Sequence, residues 1–166
     1  MPNRILGIDP GMALMGYGLI EDNGGDLSAI TYGVLSTTAE QSVSQRLRFL
    51  YRGVCEVIER YQPSDVAVEL FIARNLRTAL MVGQARGVAI LAAANKEIPV
   101  YEYTPLQVKL IVSGYGRADK KQIQEMVRLQ LGLSSIPEPD DAADALAIAI
   151  CHTSQVQLSR LLATQR

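Results

Sequence analysis

Near the start of the chain an acid closes an apolar run, Arg4-Ile5-Leu6-Gly7-Ile8-Asp9-Pro10-Gly11, and Gly16-Tyr17-Gly18-Leu19-Ile20 follows a few residues later. The run reads as a buried strand that delivers one carboxylate, Asp9, at its C-terminal end. Pro10 and Gly11 turn the chain, and a second strand pattern begins near Gly16. A carboxylate embedded in so apolar a segment is costly unless a metal or a paired cation compensates its lost hydration. Whatever this chain folds into must therefore bring partners to the end of the first strand.

The 166 residues suffice for one domain with a substantial core and are few for two. A single domain over 1–166 is the expectation, with residues after about 157 as a tail. Hydrophobic residues at 48% and charged ones at 20% describe a globular chain, not a disordered one. No apolar run reaches the ~20 residues of a membrane span. No basic segment followed by an apolar stretch opens the chain, which sets the expectation of a cytoplasmic protein without a secretory signal. Cys55 and Cys151 both lie in apolar helical patterns and fit reduced core residues, with no Cys/His zinc cluster nearby. A net charge of −1 gives no global argument for nucleic-acid binding. Between Leu70 and Lys121, however, eight bases stand against three acids. Solvated helix faces are the commoner reason for such charges, so charge alone does not argue for a nucleic-acid surface.

Residues 4–9, 16–21 and 27–37 read as three strands of an antiparallel meander, the last two joined by a turn at Gly24-Gly25-Asp26. Leu47, Leu50, Tyr51, Val54, Val57 and Ile58 carry helical spacing from Ser44 to Tyr61, and Pro63 stops it. Val66-Ala67-Val68-Glu69 is a second short buried strand ending in a carboxylate. The stretch from Asn75 to Asn95 is a long helix whose apolar residues occupy more than one face; a surface helix shows a single stripe. The surplus face fits a second copy of the chain. Residues 98–103 read as a fifth strand, 105–112 as a short helix, 113–117 as a loop, 120–131 as a helix, and Asp140 to beyond Cys151 as the last helix. A meander followed by alternating helices and strands implies an α/β fold, a five-stranded mixed sheet flanked by helices.

If the later strands pair with the first, Asp9 and Glu69 lie side by side. The last helix opens Asp140-Asp141-Ala142-Ala143-Asp144, and Asp141 and Asp144, at i and i+3, project from one face of its first turn. Its small and apolar continuation demands close packing, which places the acidic end over the strand ends. Singly, each acid has a plain explanation: favourable charge at a helix N-terminus for Asp141 and Asp144, a turn for Asp9. Four converging carboxylates would repel one another, and oxygen-preferring divalent cations, Mg²⁺ or Mn²⁺, remove that conflict. Two such ions ~3.5–4 Å apart can activate a water and stabilise the leaving oxygen of a phosphodiester.

These segments together, Gly7-Ile8-Asp9-Pro10-Gly11 with Gly16-Tyr17-Gly18, Ala67-Val68-Glu69, Gly83-Gln84-Ala85-Arg86-Gly87, Gln107-Val108-Lys109 and Asp141-Ala142-Ala143-Asp144-Ala145-Leu146-Ala147, resemble the RuvC family of crossover junction endodeoxyribonucleases. The resemblance runs in order over nearly the whole chain. It implies the RNase H-like fold of the retroviral integrase superfamily, a homodimer, and cleavage of four-way (Holliday) junction DNA by paired symmetrical nicks using two Mg²⁺ ions, with Mn²⁺ able to substitute. It implies a branch-migration helicase complex as partner. The family's catalytic, metal-holding acids fall on Asp9, Glu69, Asp141 and Asp144, and its phosphate-contacting bases on Lys109 and Lys120. Asp140 faces about 100° away from Asp141 and is left out of the ligand set. The segment after Glu69 is one residue shorter than the family pattern. Phe71 is the candidate for an aromatic stacked on junction bases, or else a core residue, and Arg74 and Arg77 are candidate backbone contacts.

His152, the only histidine, lies eight residues past Asp144, ~12 Å along a continuous helix, too far to serve the acids. Tyr101 and Tyr103 fit strand packing, whereas Tyr115 sits in a loop suited to substrate. Three other functions remain open on the residues alone. One is the same chemistry on an RNA–DNA hybrid or ribosomal RNA precursor. The second is an actin-like ATPase, which needs a second domain and phosphate loop that this length does not hold. The third is an inactive junction-binding protein, disfavoured because all four acids are present.

Overall fold

In a computed structural model, which describes residues 2–165, the chain forms five strands and five helices. Strands β1 (Asn3–Asp9), β2 (Leu14–Asn23) and β3 (Asp26–Ser36) make the antiparallel meander. After helix α1 (Val43–Tyr61), strand β4 (Asp65–Glu69) returns parallel to β1, and β5 (Val100–Tyr103) adds parallel to β4. The sheet order is β3-β2-β1-β4-β5, so the two acid-ending strands are neighbours in the middle of the sheet. Helix α2 (Leu76–Ala94) precedes β5, and α3 (Pro105–Ser113), α4 (Lys120–Gln130) and α5 (Asp140–Ala163) follow it.

Local chemistry sets most of these boundaries. Ser42 and Gln45 form a reciprocal capping box at the start of α1, Thr104 and Gln107 one at α3, and Asp119 and Gln122 one at α4. The α1 chain leaves through Gln62 in the left-handed region, with Pro63 next. The fifth strand begins at Val100, two residues later than its apolar pattern suggests, because the Ile98 amide donates to the Ala93 carbonyl (3.1 Å) and closes the end of α2. The last helix continues to Ala163, so residues 158–163, expected as a tail, are helical.

The sheet separates two cores. Helices α1 and α2 cover one face through Leu50, Val54, Ile58, Ala85, Ala89 and Ala93, packed on Leu6, Ile8, Leu19 and Val68. Helix α5 covers the other and is buried on all sides from Ala142 to Thr153, except at the half-buried Asp144. Its approach is set by small residues on both partners. A Cβ added at Gly7 would strike the Ala145 carbonyl, and one added at Gly16 the Asp141 carbonyl. The run Ala142, Ala143, Ala145, Ala147 and Ala149 lets the helix backbone lie directly on β1 and β2. This contact fixes where the acids at the start of α5 stand relative to Asp9.

Candidate active site

Asp9 ends β1 one residue beyond the Ile8–Val68 pair, and Glu69 ends β4 at the corresponding position. Asp141 and Asp144 occupy the first two turns of α5, whose N-terminal dipole favours negative charge. All four are half-buried. Asp9, Asp141 and Asp144 each present a carboxylate oxygen within 4.8 Å of the others. That set does not extend to Glu69, whose carboxylate instead bears on Asp9 from the neighbouring strand.

The electrostatic consequence is large. Burial, then the Glu69 carboxylate, then Asp144 and Asp141 push the Asp9 carboxyl from 3.8 up to about 9. Burial pushes Asp144 up to about 6 despite Lys120, whose cation pulls it down, with Glu69, Asp141 and Asp140 adding to the rise. An all-oxygen donor set whose members cannot all ionise at neutrality fits a hard divalent cation, which would restore the charged forms.

A stability prediction follows for the metal-free protein. Both folded pKa values lie above the unfolded value of 3.8, so the folded state holds protons that the unfolded state releases. The stability contributed by these protons is complete below pH 3.8; it is lost as pH rises through about 6 for Asp144 and about 9 for Asp9. Thermal melts without metal are expected to show Tm falling by several degrees from about pH 5 to about pH 9, and saturating Mg²⁺ to flatten the trend. A Tm that climbs with pH over this range would contradict the assignment.

Cations flank the acids. Lys120 Nζ lies 3.0 Å from Asp140 and 4.0 Å from Asp144. Asp140 is exposed, accepts from Gln124 (3.0 Å) and is held below its ordinary pKa, first by its hydrogen bond from Lys120 and then by that residue's charge, so it anchors the lysine outside the acid set. Lys109 on α3 and Lys120 on α4 line a cavity of about 310 Å³ together with Glu69, Asp144, Val108 and Ile148.

Phe71 is not a core residue. It lies 49% exposed in the connection between Glu69 and α2. Arg74 and Arg77 are exposed in the same region, and Tyr115 is exposed in the α3–α4 connection. The extra apolar face expected on α2 is present: Leu76, Leu80 and Leu91 are 50–75% exposed, and a Cβ at Gly83 or Gly87 would meet open space. Cys55 is half-buried and Cys151 buried, both free. One cluster escaped the sequence reading. His152 is 1% exposed and bonded through both ring nitrogens, Nε2 to Asp65 (2.9 Å) and Nδ1 to the Tyr103 hydroxyl (2.7 Å). The available signal was a lone histidine inside an otherwise apolar helix, which requires polar partners.

A β3-β2-β1-β4-β5 sheet with carboxylates gathered at the adjoining ends of its central strands and under one helix defines the RNase H-like class. The family model for crossover junction endodeoxyribonuclease RuvC matches residues 5–152, and the chain belongs to that family. A crossover junction endodeoxyribonuclease RuvC from Chloroflexus aggregans is 60% identical over 150 residues, covering 90% of this chain and 92% of the relative. One from Desulfitobacterium hafniense is 60% identical over 155 residues, covering 93% and 94%. The structure of Thermus thermophilus RuvC in complex with a Holliday junction substrate superposes with a TM-score of 0.91 at 35% identity, over 95% of this chain and 96% of that one. Among the described residues no helix is long and apolar enough to cross a membrane.

Proposed function

We propose that this chain, acting as one nuclease domain over residues 1–166 and as a homodimer in the cytoplasm, resolves four-way junction DNA by paired symmetrical nicks that depend on divalent metal. The observation that carries this reading is the gathering of Asp9, Asp141 and Asp144 within 4.8 Å, with Glu69 beside Asp9 and Lys109 and Lys120 lining the adjoining cavity, in a chain of the RuvC family. Asp9, Glu69, Asp141 and Asp144 are the residues that would hold two Mg²⁺ ions, or Mn²⁺ in their place. Bound there, such ions supply activation of the attacking water and stabilisation of the leaving oxygen.

The chain's own groups do the rest. The apolar ground beneath the acids, with Val108 and Ile148 lining the adjoining cavity, lowers the local dielectric and strengthens every charge interaction with the phosphodiester. Lys120, tethered by Asp140, and Lys109 present point charges suited to phosphate oxygens, which fix position without reading sequence. Phe71, half-exposed two residues after Glu69, offers a ring on which an unstacked junction base can rest, and Arg74 and Arg77 extend the basic surface for the backbone. The stripe Leu76, Leu80, Gly83, Gly87 and Leu91 runs at 4-3-4-4 spacing along α2, and a second copy covering it would present two acid sites, one for each strand to be nicked. A branch-migration helicase complex is the partner that would deliver the junction.

The test incubates purified protein with Mg²⁺ and, in parallel, a mobile four-way junction, the matched duplex and an RNA–DNA hybrid, with the solution mass determined on the same preparation. Paired nicks confined to the junction, from a particle of twice the 18.1 kDa chain mass, are expected. Cleavage of the hybrid alone would replace the junction with another substrate of the same chemistry, and a monomer that nicks one strand would remove the dimer.

A further inference from the structure

The Asp65–His152–Tyr103 network lies outside the acid site and ties together β4, which ends in Glu69, α5, which carries Asp141 and Asp144, and β5. His152 sits on α5 eleven residues beyond Asp141, which brings the two to within about 20° around the helix axis and ~16 Å apart along it. Asp65 opens β4, the strand that ends in Glu69; the two are four residues apart and so share a face of the sheet. Tyr103 is the register partner of Glu69 on β5, and its carbonyl accepts from the Leu70 amide (2.8 Å). The next residue, Thr104, caps α3, which carries Lys109.

Each bond has a defined partner. The Asp65 carboxylate accepts from Nε2–H of His152, and the Tyr103 hydroxyl completes the other ring nitrogen. Burial pushes the Tyr103 hydroxyl up to about 12, so it stays protonated at every working pH. The Tyr101 ring, centred 4.4 Å from the imidazole, closes the remaining side. Around this network α5 packs on the sheet through alanines together with Leu146, Ile148 and Ile150, none of which supplies a directional bond. Displacement of α5 along the sheet would separate a buried imidazole, a mostly buried carboxylate and a phenol from their hydrogen-bond partners.

We propose that His152 is a positioning residue for the nuclease site: by bridging Asp65 and Tyr103 it sets the register of α5 against β4 and β5, and so the separation of Asp141 and Asp144 from Glu69. The inference rests on the metal-holding reading of the acids. A buried polar group that fixes register is the best-attested use of such groups.

The test compares wild type with His152→Phe, Asp65→Ala, Asp65→Asn and Tyr103→Phe. Three quantities are measured: metal-free Tm, Mn²⁺ affinity by calorimetry, and the Mg²⁺ midpoint and maximal rate of junction nicking. Asparagine keeps an oxygen for Nε2–H, so Asp65→Asn is expected to restore the affinity that Asp65→Ala loses. Asp65→Ala, His152→Phe and Tyr103→Phe are each expected to weaken Mn²⁺ binding about tenfold and to shift the Mg²⁺ midpoint equally, with maximal rate at saturating metal within about twofold of wild type. If His152→Phe does not fold, the Asp65 pair and Tyr103→Phe carry the comparison. Lowered Tm with unchanged Mn²⁺ affinity would reduce the network to ordinary stabilisation and overturn the proposal, as would an Asp65→Asn variant as impaired as Asp65→Ala. A wild type that binds no Mn²⁺ would instead remove the metal reading itself, and the inference with it.

Discussion

Asp9→Asn is expected to lower Mg²⁺-dependent junction nicking by at least about 10³-fold, roughly 4 kcal/mol of transition-state stabilisation, while junction affinity measured in Ca²⁺ stays within about threefold of wild type. Among the described residues no ion pair joins Asp9 to Lys109, Lys120, Arg74 or Arg77, so binding and cleavage should separate. The same substitution is expected to stabilise the metal-free fold. Wild type buries at this position a carboxyl raised to about 9 by burial and by Glu69, Asp144 and Asp141, and asparagine removes the charge conflict while preserving shape. A gain of about 2 kcal/mol corresponds, for a chain of this size, to a Tm increase of roughly 4–8 °C. A variant less stable than wild type without metal, or one that still nicks at full rate, would contradict Asp9 as the site's central ligand.

The second large effect lies where no functional group is present. Gly7→Ala introduces a methyl where the α5 backbone already stands, against the Ala145 carbonyl and the Ala149 amide nitrogen. Backbone cannot swing aside as a flexible side chain would, so the helix must lift from β1 and carry Asp141 and Asp144 with it. The expected cost is about 3 kcal/mol or more, a Tm fall near 10 °C, with a loss of Mg²⁺-dependent nicking exceeding tenfold even at temperatures where the variant remains folded. Differential scanning calorimetry with nicking assays below the transition would check both, and a Tm within about 2 °C of wild type would show that α5 does not rest on Gly7.

The acids were legible in the sequence because each stands where burial forces a reason for it. Asp9 and Glu69 end the two apolar strands, and Asp141 and Asp144 begin a helix whose continuation is alanine and branched apolar residues. The neighbouring position of β1 and β4 could be reasoned from the same pattern, since only adjacent strands bring those ends together. Features decided by contacts distant in sequence could not be reasoned this way. His152 takes its meaning from Asp65 and Tyr103, 87 and 49 positions away. Ile98 looks like strand by composition but is claimed by the closing turn of α2. The exposure of Phe71 depends on what packs over the connection after Glu69, and that is a tertiary property. The glycines at 7 and 16 stand in a sequence motif, but their physical reason is a helix that arrives some 130 residues later.

The central claim is that Asp9, Glu69, Asp141 and Asp144 form one divalent-metal site. It is tested most directly by counting Mn²⁺ ions bound per chain in a junction complex, by calorimetry or by anomalous scattering from crystals, for wild type and for Asp9→Asn. Two ions per chain among these four carboxylates in wild type, reduced to one or none by the substitution, is the predicted result. Equal Mn²⁺ occupancy in both proteins, or ions held elsewhere on the chain, would contradict it.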